Sequence, residues 1–506
     1  MDAVTFTPPT AATAEGVHHA QAAAGNAAIA EQAVGALRDA LSGDAPYERF
    51  LLRAAAGAGK SFVLKRLIAE AIEHPYCQRV AVTAFTNRQT FPLAESLGRE
   101  LGSDKVCLLI SAKHVPNLPA SLTSSVTVAS GLGEIPDSAS VVVSVMAKLA
   151  AHGHRTFSNT LGPADNGQDP FDVLFVDEAW QLAEYNFDKI ARFAPLWVGV
   201  GDVGQLPPLE VGANPWRGDA HNPYRAWPAK YENDDKPETW VRDLPAVWRP
   251  AAGHLGLWRA FYPGWGALDC VADEGDRWIE FGAMSAAAES VWRQVGTGIP
   301  TLLEIDGLPA PDAPDVDLPL LNAAEALLDE LLAAGVAFHR ADYDDAGTPN
   351  GSVTVSFPGV DGGDPSVAIL ATRNQAVDDA GDAADRLVEK HGLTGEDVQS
   401  STVDSWQGQT NAITVAIHPL SGASELDDFN SAFGRLAVTC TRATHGLLMV
   451  ARPGLDDLLA DAPARPGTPM GEPGFRTLPR QTHQRILASF ARGTLTWKSF
   501  DDTKGA

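Results

Sequence analysis

A chain of 506 residues is too long for one hydrophobic core and suits two or three domains. Its 45% hydrophobic and 20% charged residues are the make-up of a soluble globular protein. The four scattered cysteines (Cys77, Cys107, Cys270, Cys440) form no C-x-x-C pair, which argues against a disulfide framework, a zinc site or a cysteine-ligated cluster and makes a reducing cytoplasm the default compartment. The net charge of −26 lowers the odds of tight non-specific binding to phosphate backbones, although specific binding follows the local field. That field is uneven: residues 304–345 hold eleven Asp/Glu against the single Arg340, whereas residues 79–155 hold seven Lys/Arg against five Asp/Glu. The N-terminus has neither the basic start nor the apolar core of a signal peptide, and no apolar run approaches the roughly 18 residues that span a bilayer.

In chain order, residues 1–25 are rich in Ala, Thr and Pro and are expected to be poorly ordered. "NAAIAEQAVGALRDAL" has a helical pattern, and "RFLLRAAAGAGKSFVLKRLIAEAIE" follows as strand, glycine-rich loop and helix. "RVAVTAFT", "SVVVSV", "DVLFVD" and "LWVGVGD" are continuously apolar strands separated by helical stretches, the pattern of a parallel sheet covered on both faces. The second half repeats this style with "EALLDELLAAGV", "SVAILAT", "AADRLVEKHG", "AITVAIHP" and "HGLLMVA". Two α/β units in tandem are the simplest account, the switch falling after the Pro-rich "QLPPLEVGANP".

The stretch "AAAGAGKS" at 54–61 fits a phosphate-binding loop. Small residues at Gly57, Ala58 and Gly59 let backbone N–H groups curl round a β-phosphate; Lys60 would reach the β/γ oxygens and the Ser61 hydroxyl a magnesium ion. A strand before and a helix after are the context this motif needs. The apolar strand "DVLFVD" ends in Asp177 and Glu178, a costly place for two acids unless something positive sits there. With a phosphate site available, Asp177 would hold the metal and Glu178 would orient and deprotonate an attacking water.

These stretches, in this order, resemble a superfamily 1 helicase from about residue 29 to about residue 452. "AIAEQAV" looks like the adenine-reading glutamine motif, with Gln32 toward the base. "VTAFTNRQT" is similar to the first nucleic-acid motif, which implies strand contacts from Thr86 and Asn87, and "DEAWQ" has the Asp-Glu-x-x-Gln form. "GDVGQLPP" matches the third motif, where Gln205 would sense the γ-phosphate. In the second half "LPAVWRP" resembles the aromatic–arginine pair, implying that Trp248, where the family usually has Tyr, stacks near adenine and that Arg249 touches the γ-phosphate. "AILATRNQA" resembles motif four, with Arg373 or Gln375 as its polar member. "STVDSWQGQT" resembles motif five and includes Gln407 and Gly408, which implies Thr402 toward the strand and Gly408 toward the nucleotide; Thr410 stands where the family most often has Glu. "GRLAVTCTRATHGLLMVA" resembles motif six, with Arg442 as arginine finger.

The fold implied is α/β, two tandem RecA-like domains with parallel sheets and small insertions. Its expected bounds are a disordered 1–25, a first domain over 26–212 with an insertion around 95–170, a second over 213–455 with a Trp-rich and acidic insertion around 213–345, and a C-terminal tail at 456–506. The implied cofactors are ATP and Mg2+. The implied partner is single-stranded nucleic acid, DNA more than RNA, with a protein partner for the acidic region or the tail and no membrane. "FTNRQT" and "AGAGKS" look like the repair-helicase branch that moves 3′→5′, whereas the string around Trp406, "RLAVTCTRATHGLLMV" and the short spacing from Arg249 to Arg373 lean toward the 5′→3′ branch. Two competing classes are a nucleotide-gated switch or scaffold that never unwinds, and a small-molecule kinase, which would leave Gln205, Arg249 and Arg442 without a task. Eight of the twelve tryptophans lie between Trp216 and Trp292 with few basic residues among them, so core packing is favoured over a base-stacking platform.

Overall fold

The computed structural model describes residues 3–11, 15–204, 208, 222–232, 236–265, 268–311, 316–356, 366–371, 374–403, 406, 409–427, 430, 433–462 and 479–497. They fall into two units, Gly25–Pro245 and a composite of Met1–Ala24 with Ala246–Ala506. The chain opens with a short strand, β1 (Phe6–Thr7), then the helix α1 (His19–Ser42).

The first unit holds β2 (Arg49–Ala54), α2 (Lys60–Glu73), β3 (Val80–Ala84), α3 (Asn87–Leu101), β4 (Val106–Leu109), β5 (Thr127–Ala129), β6 (Val141–Val145), β7 (Val173–Asp177), β8 (Leu196–Gly201) and β9 (Thr239–Leu244). The strands form one eight-stranded sheet in the order β5-β4-β6-β3-β7-β8-β2-β9. Every pairing is parallel, so all eight carboxyl ends share one edge. Each residue of β3 and of β7 is buried, which is why their sequences are unbroken apolar runs rather than alternating ones. Leu51, Leu174, Phe157, Phe171, Phe193 and Trp227 are among the buried side chains of the core. In "LWVGVGD" the second glycine is a packing requirement: a Cβ on Gly201 would stand 2.8 Å from Trp180 Cε3 and 2.9 Å from the Ala179 amide nitrogen. Its absence lets the turn after β7 lie against β8.

The composite unit contains β10 (Ala246–Val247), β11 (Asp269–Cys270), β12 (Arg277–Glu280), β13 (Thr301–Asp306), β14 (Ala337–Tyr343), β15 (Pro349–Ser356), β16 (Val367–Ala371), β17 (Val398–Thr402), β18 (Asn411–Ile417), β19 (Ala443–Ala451) and β20 (Ala491–Thr496). Its main sheet runs β1-β20-β13-β19-β18-β16-β17, all parallel except the β1–β20 pair. A small antiparallel sheet, β12-β14-β15, and the parallel pair β10–β11 accompany it. Two sheets of mixed α/β make-up with parallel order match the RecA-like layout expected.

Several segments differ from their sequence-based expectation. Phe6 and Thr7 pair with Gly493 and Arg492, so part of the stretch expected to be disordered is a strand. Residues 95–170, expected as an insertion, supply β4, β5 and β6 to the main sheet. Thr239–Leu244 pairs with the phosphate-loop strand, which carries the first unit to Pro245 rather than 212. Among the tryptophans, Trp227, Trp258 and Trp292 are wholly buried, as core packing requires; Trp278 is 41% exposed and stacks on His339 at 4.7 Å. The segment expected as a tail supplies the helix Pro479–Leu487 and then β20, which lies between β1 and β13.

Ile486, Leu487, Phe490 and Leu495 are each at most 4% exposed, and burying one such side chain is worth about 1.5–3 kcal/mol. Deleting residues 479–506 removes all four and uncovers the edge of β13, so the composite unit is expected to lose most of its stability. Calorimetry of the shortened chain checks this, and a melting profile like that of the full chain would contradict the placement.

Candidate functional site

The loop between β2 and α2 is shaped by two glycines in the left-handed region, Gly57 (φ 75°) and Gly59 (φ 89°), the latter capping α2. A side chain there would strain the backbone, so the glycines are what let the chain curl straight from strand to helix. Ala54, Ala55, Ala56 and Ala58 are each at most 4% exposed, which leaves only small side chains under the curl. The loop is braced from α1: Asn26, 7% exposed, donates its side-chain amide to the Ala58 carbonyl at 2.8 Å. Gln32 lies six residues further along α1, about 120° round the helix, and is exposed. Ser61 is exposed in the first turn of α2.

β7, β8 and β2 are neighbours, so the residues following them meet at one edge, the usual ligand position on an open parallel sheet. Lys60 Nζ makes an ion pair with Glu178 Oε1. Burial works against charge on Lys60, but Glu178, Asp177 and Asp202 outweigh it and hold the ammonium above the ordinary lysine range. Burial pushes the Asp177 carboxyl upward, with Lys60 opposing and Glu178 adding to the rise. Asp177 is 9% and Glu178 7% exposed. Glu178 has φ 53°, unusual for a non-glycine residue, and its N–H donates to Asp177 Oδ1 at 3.0 Å. Its second oxygen, Oε2, is buried with no partner, as is Gln181 Nε2. Strain and an unsatisfied carboxylate oxygen on one residue are the marks of a site built for something besides stability.

Asp202 is the residue that sequence reasoning passed over. It ends "LWVGVGD", is 3% exposed, and accepts the Gly204 N–H at 2.8 Å. A buried carboxylate directly after an apolar strand was the available signal, the same that singled out Asp177. Asn26 offered none, because its bond to the loop depends on the crossing of α1.

Thr86 caps α3 with Gln89 as its reciprocal partner, directly after β3; Thr86 is exposed and Asn87 half-buried. In the composite unit, Trp248 is half-buried against Tyr343, edge to face at 6.4 Å, and its carbonyl accepts from Arg277 Nη2 at 2.8 Å. Arg249 Nη1 donates to the Thr441 carbonyl at 3.1 Å, while Arg442 Nη2 donates to the Thr441 hydroxyl at 3.0 Å. The two arginines separated by 193 positions in the chain are thus brought to one threonine. Arg442 is 1% exposed and also donates to the Val438 carbonyl at 3.1 Å. Thr402, half-buried, ends β17 and accepts the Trp406 N–H at 3.0 Å. Gln205, Arg373, Gln407 and Gly408 lie outside the described residues, as does the side chain of Gln375.

Among the described residues no helix is long and apolar enough to cross a membrane, and no group of three or more His, Cys, Asp or Glu could hold a metal ion. A magnesium ion bound with phosphates needs only one or two protein oxygens, and the Ser61 hydroxyl and Asp177 carboxylate are hard oxygen donors of the right kind.

Residues 38–210 match the family model described as an AAA domain, a span inside the first unit that covers both the phosphate loop and the carboxylates. No curated protein matches the chain. Among solved structures, the helicase of PRRSV is similar at 11% identity and a TM-score of 0.37, over 83% of this chain and 56% of that one. The arterivirus nonstructural protein 10 helicase is similar at 14% identity and a TM-score of 0.39, over 84% of this chain and 63% of that one. The chain thus spans less than two thirds of the length of either. Over residues 38–210 the chain is thus similar to an AAA domain.

Proposed function

We propose that the protein is an ATP-dependent helicase or translocase acting on single-stranded nucleic acid, DNA rather than RNA, in the 5′→3′ direction. The observation that carries this reading is the gathering of Lys60, Asp177, Glu178 and Asp202 at adjacent strand ends around a glycine-shaped loop. Binding of a triphosphate asks Lys60 to exchange the Glu178 carboxylate for the β/γ oxygens. That exchange frees Glu178, already placed with one unpartnered oxygen, to orient a water and take its proton. Magnesium, held through Ser61 and Asp177, would neutralise charge on the phosphates. Backbone N–H groups of Gly57, Gly59 and Lys60 supply fixed dipoles for the same charge, while that of Ala58 is donated to the Ala55 carbonyl and holds the curl. Gln32 and Trp248 serve the adenine, and Gln205 and Gly408 belong with the nucleotide. Arg249 and Arg442 are assigned to the γ-phosphate. Thr86, Asn87 and Thr402 contact the strand.

The test is ATP turnover with single-stranded DNA, with single-stranded RNA and with neither, followed by displacement of 5′- and 3′-tailed duplexes. Stimulation by strand, greater for DNA, and unwinding from the 5′ tail are expected. Turnover indifferent to both polymers would favour the nucleotide-gated switch, and unwinding only from a 3′ tail would reverse the polarity.

A further inference from the structure

β3 and β7 are adjacent and parallel, so the segment that follows β3 and the segment that follows β7 leave the sheet side by side. The first carries Thr86, assigned above to the strand; the second carries Glu178, assigned to hydrolysis. One side chain bridges them. Gln89 Oε1 accepts from the Thr86 N–H at 3.0 Å and from the Thr86 hydroxyl at 3.1 Å. Gln89 Nε2 donates to Gln181 Oε1 at 3.3 Å. The Gln181 N–H in turn donates to the Glu178 carbonyl at 2.9 Å. The path from Thr86 to the backbone of Glu178 therefore consists of two glutamines and four hydrogen bonds, all within one unit.

The far end of that path is unsatisfied. Gln181 Nε2 is buried without a partner, and so is Glu178 Oε2. A buried donor left open disfavours its own position, so a modest change at the near end suffices to move it. The geometry points to Gln89 as a positioning residue that transmits occupancy of Thr86 by a nucleic-acid strand to Gln181, and through it to Glu178. Resting on the strand-dependent reading above, this assigns the coupling to a side chain that serves neither ligand. A strand phosphate that takes up the Thr86 N–H or hydroxyl withdraws donors from Gln89 Oε1. The Gln89 amide is then released to shift against Gln181, and the turn that carries Glu178 shifts with it.

Gln89 also caps α3, so the experiment must separate capping from coupling. Gln89→Asp keeps an acceptor near the helix N-terminus but is too short to reach Gln181. Gln89→Glu keeps the cap and the reach, because its carboxylate accepts from Thr86 and from the open Nε2 of Gln181 after that amide turns over. Gln89→Ser leaves the bond from the residue-89 N–H to the Thr86 hydroxyl in place and serves as a second link-breaking variant. The readout is the ratio of ATP turnover with saturating single-stranded DNA to turnover without it, together with the melting temperature. A coupling of ordinary size is worth on the order of tenfold in that ratio. Gln89→Asp and Gln89→Ser are expected to bring the ratio to near unity while melting as the parent does, and Gln89→Glu to retain it. A link-breaking variant that folds and keeps the parent ratio overturns the inference, as does loss of the ratio in Gln89→Glu. A parent protein whose turnover ignores the strand overturns the proposed function itself.

Discussion

Lys60→Ala is expected to lower ATP turnover by about 10²–10³-fold, the scale lost when one charged donor is removed from a developing phosphoryl charge. The consequence for stability is equally specific. Lys60 is a cation on which Asp177, Glu178 and Asp202 all act, and its removal takes that positive charge away from three buried carboxylates. Breaking a buried pair from one side typically costs 3–5 kcal/mol, and the side chain of Lys60 is only 20% exposed. The first unit of the variant should therefore melt lower at neutral pH. The sign with pH follows from Asp177, whose folded-state carboxyl is already raised by burial and rises further without Lys60. A carboxyl raised on folding destabilises where it is ionised, so the deficit is largest at neutral pH and shrinks toward acid. Calorimetry across pH and steady-state turnover read the two effects separately. Full turnover in a correctly folded Lys60→Ala chain would end the phosphate-loop account.

Glu178→Gln is expected to slow hydrolysis by about 10²–10⁴-fold while leaving nucleotide bound, because an amide can orient a water but cannot take its proton. The resting ion pair adds a less obvious expectation. Glu178 competes with phosphate for Lys60, so replacing the carboxylate with an amide frees the ammonium and should tighten ATP binding. Equilibrium binding of a fluorescent ATP analogue, set beside single-turnover hydrolysis, separates the two. Binding weaker than in the parent would mean that Glu178 holds the nucleotide rather than acting on water.

Much of this was written in short stretches. Gly57, Gly59 and Lys60 sit within four positions, and a strand and helix on either side are covalent neighbours, so the phosphate loop was legible. The same holds for Asp177 and Glu178, whose placement after a fully apolar run marks a buried strand end. Parallel pairing was legible too, since a strand covered on both faces has no polar alternation.

The long-range placements were not legible. Asp202 joins the lysine because β8 lies between β7 and β2, and no local pattern records strand order. Arg249 and Arg442 meet at Thr441 through packing inside the composite unit. The C-terminal β20 looked like a tail because "ARGTLT" is short and polar enough to pass for a loop; it is a strand because β1 and β13 offer it hydrogen bonds on both sides. Periodicity and spacing report the forces acting between residues a few positions apart: helical turns, strand pleats and glycine-permitted bends. Which strand lies beside which, and so which carboxylates surround Lys60, follows from core packing and sheet pairing between residues more than a hundred positions apart.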